Sequence, residues 1–238
     1  MMVGSKVDYD INDLYIPKDG KGDIDYKKSF NATLTIIVKD KKGNVIKRYK
    51  QKSHSPTANF IGLMMPLTWY NITGNSWKFV NTSNSTTSYQ PYISGYALGV
   101  IYPCSASNIN TYLVNILVGS GSQSNSYNAI NLNAPISNGS GTGQLIYSTP
   151  NIPTGVTING NQAYFIISQS YNNQSSGIIT ISEIGIIINL AIGTSNAGGS
   201  YYQASVGNIL TWYDVLSSPI SVGSGQQVVI YYTFSVNA

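Results

Sequence analysis

The sequence predicts an all-β protein, a jelly-roll-like β-sandwich with one short helix near residues 56–65. β-Branched and aromatic residues recur in short runs, which favours strands over helices. Apolar and polar residues alternate within several of these runs, with the period of two that a strand imposes on its side chains. Gly, Ser, Asn and Pro separate the runs, and short strands joined by such turns are typical of sandwiches and jelly rolls.

The chain is predicted to consist of an arm and a single domain. Residues 1–28 hold six of the nine acidic residues, so residues 1–29 are interpreted as an extended charged N-terminal arm. Residues 30–238 are predicted to form one β-sandwich domain, since a chain of this length can bury one large core.

The domain is predicted to begin with a β-hairpin. Phe30, Ala32 and Leu34 alternate with polar residues, residues 41–44 contain the turn glycine, and the chain returns over residues 45–52. After the hairpin, Ser55 can cap a helix whose first residue is Pro56. The remaining strands are predicted at residues 97–101, 112–118, 143–147, 162–170, 178–190, 200–210 and 227–236.

The central stretch, residues 177–190, contains a carboxylate among isoleucines. Ile179, Ile181 and Glu183 are expected on one side of this strand, and apolar residues on both sides predict that it is covered on both faces. A carboxylate there must be satisfied by backbone N–H groups or a polar partner. Gly185 indicates a bulge or a close backbone approach beside it.

Glu183 and Asp214 are therefore interpreted as structural carboxylates, which tie loops to the sheets. The alternative for Glu183 is a catalytic acid, but no second carboxylate or base lies near it in sequence. A glycosidase pair formed by Glu183 and Asp214 is a further alternative, which the separation of the two carboxylates would decide.

Charge is segregated along the chain. All 13 Lys and Arg lie at or before Lys78 together with seven Asp, giving this segment a net charge of +6. Residues 79–238 contain only Glu183 and Asp214. A segment with almost nothing to titrate has a folding free energy that depends little on pH, which suits exposure to acid better than the cytoplasm. No apolar run approaches the roughly 18 residues that a membrane-spanning helix needs.

The return arm of the hairpin is basic. Lys47, Arg48, Lys50 and Lys52 either protect a sheet edge or make an inward-facing contact with nucleic acid, anionic lipid or an acidic neighbouring subunit. Candidate glycosylation sites follow the N-x-S/T pattern, which arises by chance in a chain this rich in Asn, Ser and Thr. They are Asn31, Asn71, Asn81, Asn84, Asn138 and Asn173.

Enzyme motifs are missing from the sequence, which predicts a protein that is not an enzyme. There is no G-x-S-x-G, Walker A or HExxH pattern. One histidine (His54) and one cysteine (Cys104) cannot build the usual histidine-based sites. No metal or cofactor is expected.

Several blocks follow one another along the chain. They are a G-x-G segment with a polar stretch ending in L-x-x-P (residues 117–135), a strand (163–170), an I-x-E-I-G strand (179–186), a Trp-Tyr-Asp segment (212–220) and a glycine turn before the last strand (222–236). An H-S-x-x-x-N-F motif lies upstream, at residues 54–60. Taken in this order, the blocks resemble a module common in structural proteins of phages and of archaeal viruses, and the motif is similar to the leader of such proteins.

The resemblance covers most of residues 30–238. The scarcity of charge is similar to that of virion proteins from viruses that infect thermoacidophilic archaea such as Sulfolobus. The resemblance implies a non-enzymatic structural protein of an archaeal virus particle: a turret, vertex, tail adaptor or fibre subunit. Its expected partners are copies of itself in a homo-oligomeric ring or spike, other virion proteins and a host-surface glycan.

The expected location is the virion. The sequence begins without the apolar stretch of a secretory signal, so release inside a particle by lysis or budding is the expected route out of the cell. The alternative is a cell-surface or pilus-like adhesive protein whose Tyr-rich surface binds carbohydrate.

Overall fold

The computed structural model describes residues 30–53, 56–60, 77–84, 86–89, 101–103, 114–122, 127–195 and 201–237. The predicted arm lies outside the described residues, as do His54 and Ser55. Of the predicted helix, residues 58–60 form a helical turn and residues 61–65 lie outside the described part. No helix of the described residues has the length and apolar character needed to cross a membrane.

The structure is nearly all β, which confirms the predicted all-β class. The strands are β1 (Phe30–Lys39), β2 (Val45–Ser53), β3 (Trp77–Val80), β4 (Thr86–Tyr89), β5 (Ile101–Pro103), β6 (Val114–Gly119), β7 (Ile146–Tyr147), β8 (Thr157–Asn159), β9 (Gln162–Asn172), β10 (Ile179–Ser195), β11 (Tyr201–Val222) and β12 (Gln227–Asn237).

Two antiparallel sheets pack together, which confirms the predicted β-sandwich. The larger sheet has the order β2-β1-β12-β9-β7, with β8 also pairing with β9. The smaller has the order β11-β10-β5, with β6 also pairing with β10. The β3–β4 hairpin forms a separate two-stranded sheet. The jelly-roll topology stays a prediction, and so does the division into one arm and one domain.

The core lies between the two sheets. The larger sheet contributes alternate residues of β1, such as Leu34 and Ile36, and of β12, such as Tyr232. The smaller sheet contributes Ile116 of β6 and Trp212 of β11. From Ala32 to Ile36 every second residue of β1 is buried, because the pleat turns alternate side chains towards the opposite sheet, whereas Ile37 and Val38 are buried in succession after Ile36.

The predicted hairpin at the start of the domain is confirmed. β1 pairs with β2 from Ala32 to Lys39, and Gly43 adopts a φ of 85°, a conformation that glycine adopts without steric cost. Asp40 closes the turn by accepting hydrogen bonds from the backbone N–H groups of Lys42 (2.8 Å) and Asn44 (2.9 Å). Its pKa is lowered, chiefly by the hydrogen bond from the Asn44 side chain.

Strand β10 differs from the predicted regular alternation. The pairing of β10 with β11 shifts between Ile181 and Glu183, where residues 216–219 of β11 lie opposite Ser182 alone. Ile181 and Ile184 consequently belong to the same core cluster. In a regular strand, two residues three positions apart would lie on opposite faces. The prediction that Glu183 shares a face with Ile181 is wrong, because this irregularity reverses the strand's faces.

Two further expectations about the strands need correction. The start of β10 is covered on one face only, since Ile178 is 73% exposed and Thr180 is exposed. The strand predicted at residues 200–210 continues to Val222. Its Ser-Ser-Pro stretch, which has the composition of a turn, forms the irregular part of β11 instead.

Two buried tyrosine hydroxyls, of Tyr171 and Tyr232, and the partly buried hydroxyl of Tyr147 should make the fold sensitive to alkali. Burial raises the pKa of Tyr147 to about 12 and that of Tyr171 and Tyr232 well above the usual value of 10.0, and the charge of Asp214 raises that of Tyr232 further. An unfolded tyrosine loses its proton near pH 10, whereas these three keep theirs in the folded state. Their contribution to stability is therefore complete below pH 10 and is lost as the pH rises towards the folded pKa values.

We expect urea unfolding followed at increasing pH to show a steep loss of stability above about pH 10. Tyrosinate absorbance should rise in two steps, an early one from exposed tyrosines and a late one that accompanies unfolding. A single early step with the near-ultraviolet circular dichroism unchanged would contradict this expectation.

Candidate functional site

Glu183 lies in β10 with no exposed surface, in the environment that the sequence predicts for it. Oε1 accepts hydrogen bonds from the backbone N–H groups of Ala134 (2.7 Å) and Gly121 (3.3 Å). Oε2 accepts from the backbone N–H of Asn133 (3.0 Å) and the hydroxyl of Tyr213 (2.8 Å). A carboxylate has about four acceptor positions, so these donors use its full capacity.

The glycines of the Gly119-Ser120-Gly121 segment let the backbone approach this carboxylate. A Cβ atom on Gly119 would lie 2.5 Å from Oε1 of Glu183, and one on Gly121 would lie 2.7 Å from it. Real Cβ atoms do not come this close. The segment therefore uses its two glycines to contact a buried carboxylate, a role that needs neither a nucleotide nor a helix.

Residues 119–136 are held against the smaller sheet at both ends. The N–H of Ser120 donates to the carbonyl of Ala134 (2.9 Å), and the N–H of Ile136 donates to the carbonyl of Val118 (2.8 Å). We call the described residues of this stretch, 119–122 and 127–136, the outer segment. Ala129 and Leu132 of this segment form a second apolar cluster with Ile187, Leu210 and Tyr213 of the smaller sheet.

Gly185 makes the close approach that the sequence indicates. A Cβ atom there would lie 2.6 Å from Cδ1 of Leu210 and 3.1 Å from Cδ2 of Leu132. The glycine therefore lets the second apolar cluster pack directly onto the backbone of β10. In this way Gly185 and Glu183 together position the outer segment, one by packing and one by hydrogen bonding.

Asp214 connects the two sheets. Its Oδ2 accepts hydrogen bonds from the hydroxyls of Ser53 in β2 (2.5 Å) and Tyr232 in β12 (2.9 Å). The indole N–H of Trp212 donates to the hydroxyl of the same Ser53. Asp214 is 2% exposed and Ser53 is 4% exposed, so this network lies inside the sandwich.

The two carboxylates do not share a cleft. Glu183 binds the outer segment, whereas Asp214 binds strands of the larger sheet. Both carboxylates are buried and accept hydrogen bonds from donors of the chain itself, so neither presents a free oxygen to a substrate. Among the described residues, no group of three or more His, Cys, Asp or Glu side chains is arranged to hold a metal ion.

The four basic residues lie on an edge strand. β2 is the last strand of the larger sheet, and Lys47, Arg48, Lys50 and Lys52 are all exposed. Lys52, Lys50 and Arg48 pair with Thr33, Thr35 and Ile37, none of which belongs to the apolar cluster between the two sheets. Residues opposite each other share a face of the sheet, so these three cations point away from the core.

One candidate glycosylation site is excluded by its burial. Asn173 is fully buried, and its amide nitrogen donates to the carbonyls of Gly177 (2.8 Å) and Val222 (2.8 Å). Its amide oxygen accepts from Ser175. The prediction for Asn173 is wrong, because the folded chain leaves no room for a glycan on this nitrogen.

The other candidate asparagines differ in accessibility. Asn84 and Asn138 are exposed, and Asn31 and Asn81 are half-buried. The amide oxygen of Asn138 accepts from the N–H of Tyr147 (3.0 Å), and that of Asn81 accepts from the N–H of Ser83 (3.1 Å). Asn71 lies outside the described residues. Glycosylation of these five positions stays a prediction.

Sequence reasoning missed Gln51, which joins the edges of the two sheets. Its amide nitrogen donates to the carbonyl of Val215 (3.2 Å), and its amide oxygen accepts from the N–H of Ser217 (3.2 Å). The side chain thus pairs with the backbone of β11 as a neighbouring strand would. No local signal reveals this role, because the contact spans more than 160 residues.

Comparison with family models, with curated proteins and with solved structures gives no significant match for this chain.

Replacing Glu183 should loosen the outer segment. Glu183→Ala leaves three backbone N–H groups without their acceptor, so we expect the free energy of unfolding to fall by about 1–3 kcal/mol. Glu183→Gln keeps the shape but sets an NH₂ group against a donor, and should also destabilise. Tyr213→Phe removes one donor of four and should cost less. Urea unfolding measures all three, and unchanged stability of Glu183→Ala would show that the carboxylate is not needed.

Replacing either glycine of the Gly119-Ser120-Gly121 segment by alanine should also destabilise the protein. The Cβ of Gly119→Ala or Gly121→Ala overlaps Oε1 of Glu183, so the carboxylate or the outer segment must move. Gly155→Ala is the matched control, since a Cβ there meets no atom within 4 Å. We expect lower melting temperatures for the first two variants only. Equal melting temperatures for all three would contradict the proposed close approach.

Proposed function

We propose that this chain is a non-enzymatic structural subunit of an archaeal virus particle, assembled as a homo-oligomeric ring or spike and exposed to an acidic exterior. One observation carries the proposal. The only charged residues after Lys78 are Glu183 and Asp214, and they are 0% and 2% exposed. The surface formed by residues 79–238 therefore exposes no charged side chain.

Such a surface suits a particle that meets both neutral and acidic solution. Surface carboxylates become protonated in acid and lose the salt bridges that they made at neutral pH, which changes the stability of the protein. A surface of Ser, Asn, Thr and Tyr keeps the same charge and the same hydrogen-bonding groups. Solubility then depends on uncharged polar groups instead of net charge.

The hydrogen bonds that the two buried carboxylates accept support a structural role for both residues. Each accepts at least two hydrogen bonds from its own chain, and each joins parts of the fold that are distant in sequence. A general acid or base needs an oxygen within hydrogen-bond reach of a substrate. The charges that this chain retains in its charge-poor part are instead used to fix its shape.

Mass spectrometry of purified particles tests the proposal. We expect the protein in virus particles from infected cells, at a copy number that matches a ring or spike. The competing function is a cell-surface or pilus-like adhesive protein. Finding the protein only in envelopes of uninfected cells would overturn the virion proposal and favour that alternative.

Proteolysis of intact particles tests the orientation of the subunit. Trypsin cuts after Lys and Arg, and these residues are confined to the first 78 positions. If the basic edge faces the particle interior, trypsin should cleave isolated subunits within residues 39–52 but leave intact particles uncut there. Chymotrypsin, which cuts at aromatic residues, is the control for access to the exterior. Rapid tryptic cleavage of intact particles at residues 39–52 would contradict the inward orientation.

A further inference from the structure

The edge of the larger sheet at β2 has two chemically different sides. Among the described residues, β2 pairs only with β1. On the face away from the core it presents Arg48, Lys50 and Lys52. On the opposite face, Tyr49 packs against the core and Gln51 reaches β11.

A cleft lies beside this edge, between β2 and β11. It has a volume of about 120 Å³. Its polar lining consists of Lys50 and Gln51 of β2 and Ser217 and Ser218 of β11. Its apolar lining consists of Leu34, Ile36, Tyr49, Leu216 and Ile220. A strand added to β2 would therefore need apolar side chains towards the cleft and acidic side chains towards the three cations.

The N-terminal sequence contains a stretch with this pattern. Residues 7–12 read V-D-Y-D-I-N. In a strand, Val7, Tyr9 and Ile11 would share one face, and Asp8 and Asp10 would share the other. The aspartates, two positions apart, have the same spacing as Arg48, Lys50 and Lys52 along β2.

We propose that residues 7–12 add to the free edge of β2 as a further antiparallel strand of the larger sheet. Tyr9 and Ile11 lie over the cleft between β2 and β11, and Asp8 and Asp10 lie beside the basic residues of β2. The acidic stretch of the chain itself then neutralises this edge and covers its backbone groups, which would otherwise invite pairing with other chains.

The strand comes from the same chain. Residues 13–29 join it to β1 and can span about 56 Å when extended. A nine-residue strand such as β2 is only about 30 Å long, so the connection is long enough to return to Phe30. A tethered segment also has an effective concentration in the millimolar range, which favours it over a segment from a second molecule.

Hydrogen exchange of β2 in the full-length protein tests the added strand. Asp8→Lys combined with Asp10→Lys places like charges beside Arg48 and Lys50, so exchange of the amides at residues 45–53 should become about tenfold faster or more. Adding Arg48→Asp and Lys50→Asp to that variant should restore slow exchange. Exchange in β10 is the internal check that the sandwich remains folded.

Asp23→Lys combined with Asp25→Lys is the matched control. These aspartates also lie two positions apart and flank an apolar residue, Ile24, but Lys27 and Lys28 follow closely and the stretch is shorter. The control should leave exchange in β2 unchanged. Equal acceleration in the control, or no acceleration in the Asp8/Asp10 variant, would overturn the proposal.

Zero-length carbodiimide cross-linking tests which chain supplies the strand. In a mixture of isotope-labelled and unlabelled protein, we expect Asp8 or Asp10 to cross-link to Lys50 or Lys52 in peptides that carry a single label state. Cross-linked peptides of mixed label would show a strand from a second molecule and would overturn the proposal as stated. Absence of these cross-links would overturn it as well.

Discussion

Burial of a carboxylate among backbone N–H groups is the constraint on which the smaller sheet depends. Glu183 accepts hydrogen bonds from Gly121, Asn133 and Ala134, so both ends of the outer segment are fixed to the central strand by one side chain. The arrangement requires glycine at positions 119 and 121, because any Cβ would occupy the space of Oε1. It also requires the strand irregularity at Ser182, which turns Glu183 away from the main core.

The distribution of charge in residues 79–238 is the reverse of that in most soluble proteins. Charged residues usually lie at the surface and are rarely buried unless paired. Here the two charged residues of the segment are buried and the surface is uncharged. Hydrogen-bond donors of the chain compensate the cost of burial, since an unsatisfied buried carboxylate would destabilise the fold strongly.

The two carboxylates stabilise different parts of the structure. Glu183 fixes a connection to one sheet, whereas Asp214 joins β11 to β2 and β12 of the other sheet. Gln51 adds a second connection between the same two edges, at Val215 and Ser217. The irregular part of β11 thus lies where both sheets meet, and its departure from regular pairing allows these side chains to reach it.

The amino-acid sequence predicts the all-β class, the first hairpin, the approximate position of most strands, and the burial of Glu183 with its need for backbone donors. These features depend on local alternation, turn residues and the solvation of one side chain, and each can be inferred from a few neighbouring residues. The face of β10 that carries Glu183 could not be predicted locally and is known from the folded structure, because a single irregular position reverses the faces of a strand. The folded structure also shows that Asn173 is a buried hydrogen-bonding residue and that Ser53, Trp212 and Tyr232 meet around Asp214. These contacts join residues far apart in sequence, and their partners are set by strand order and register, which local patterns do not contain.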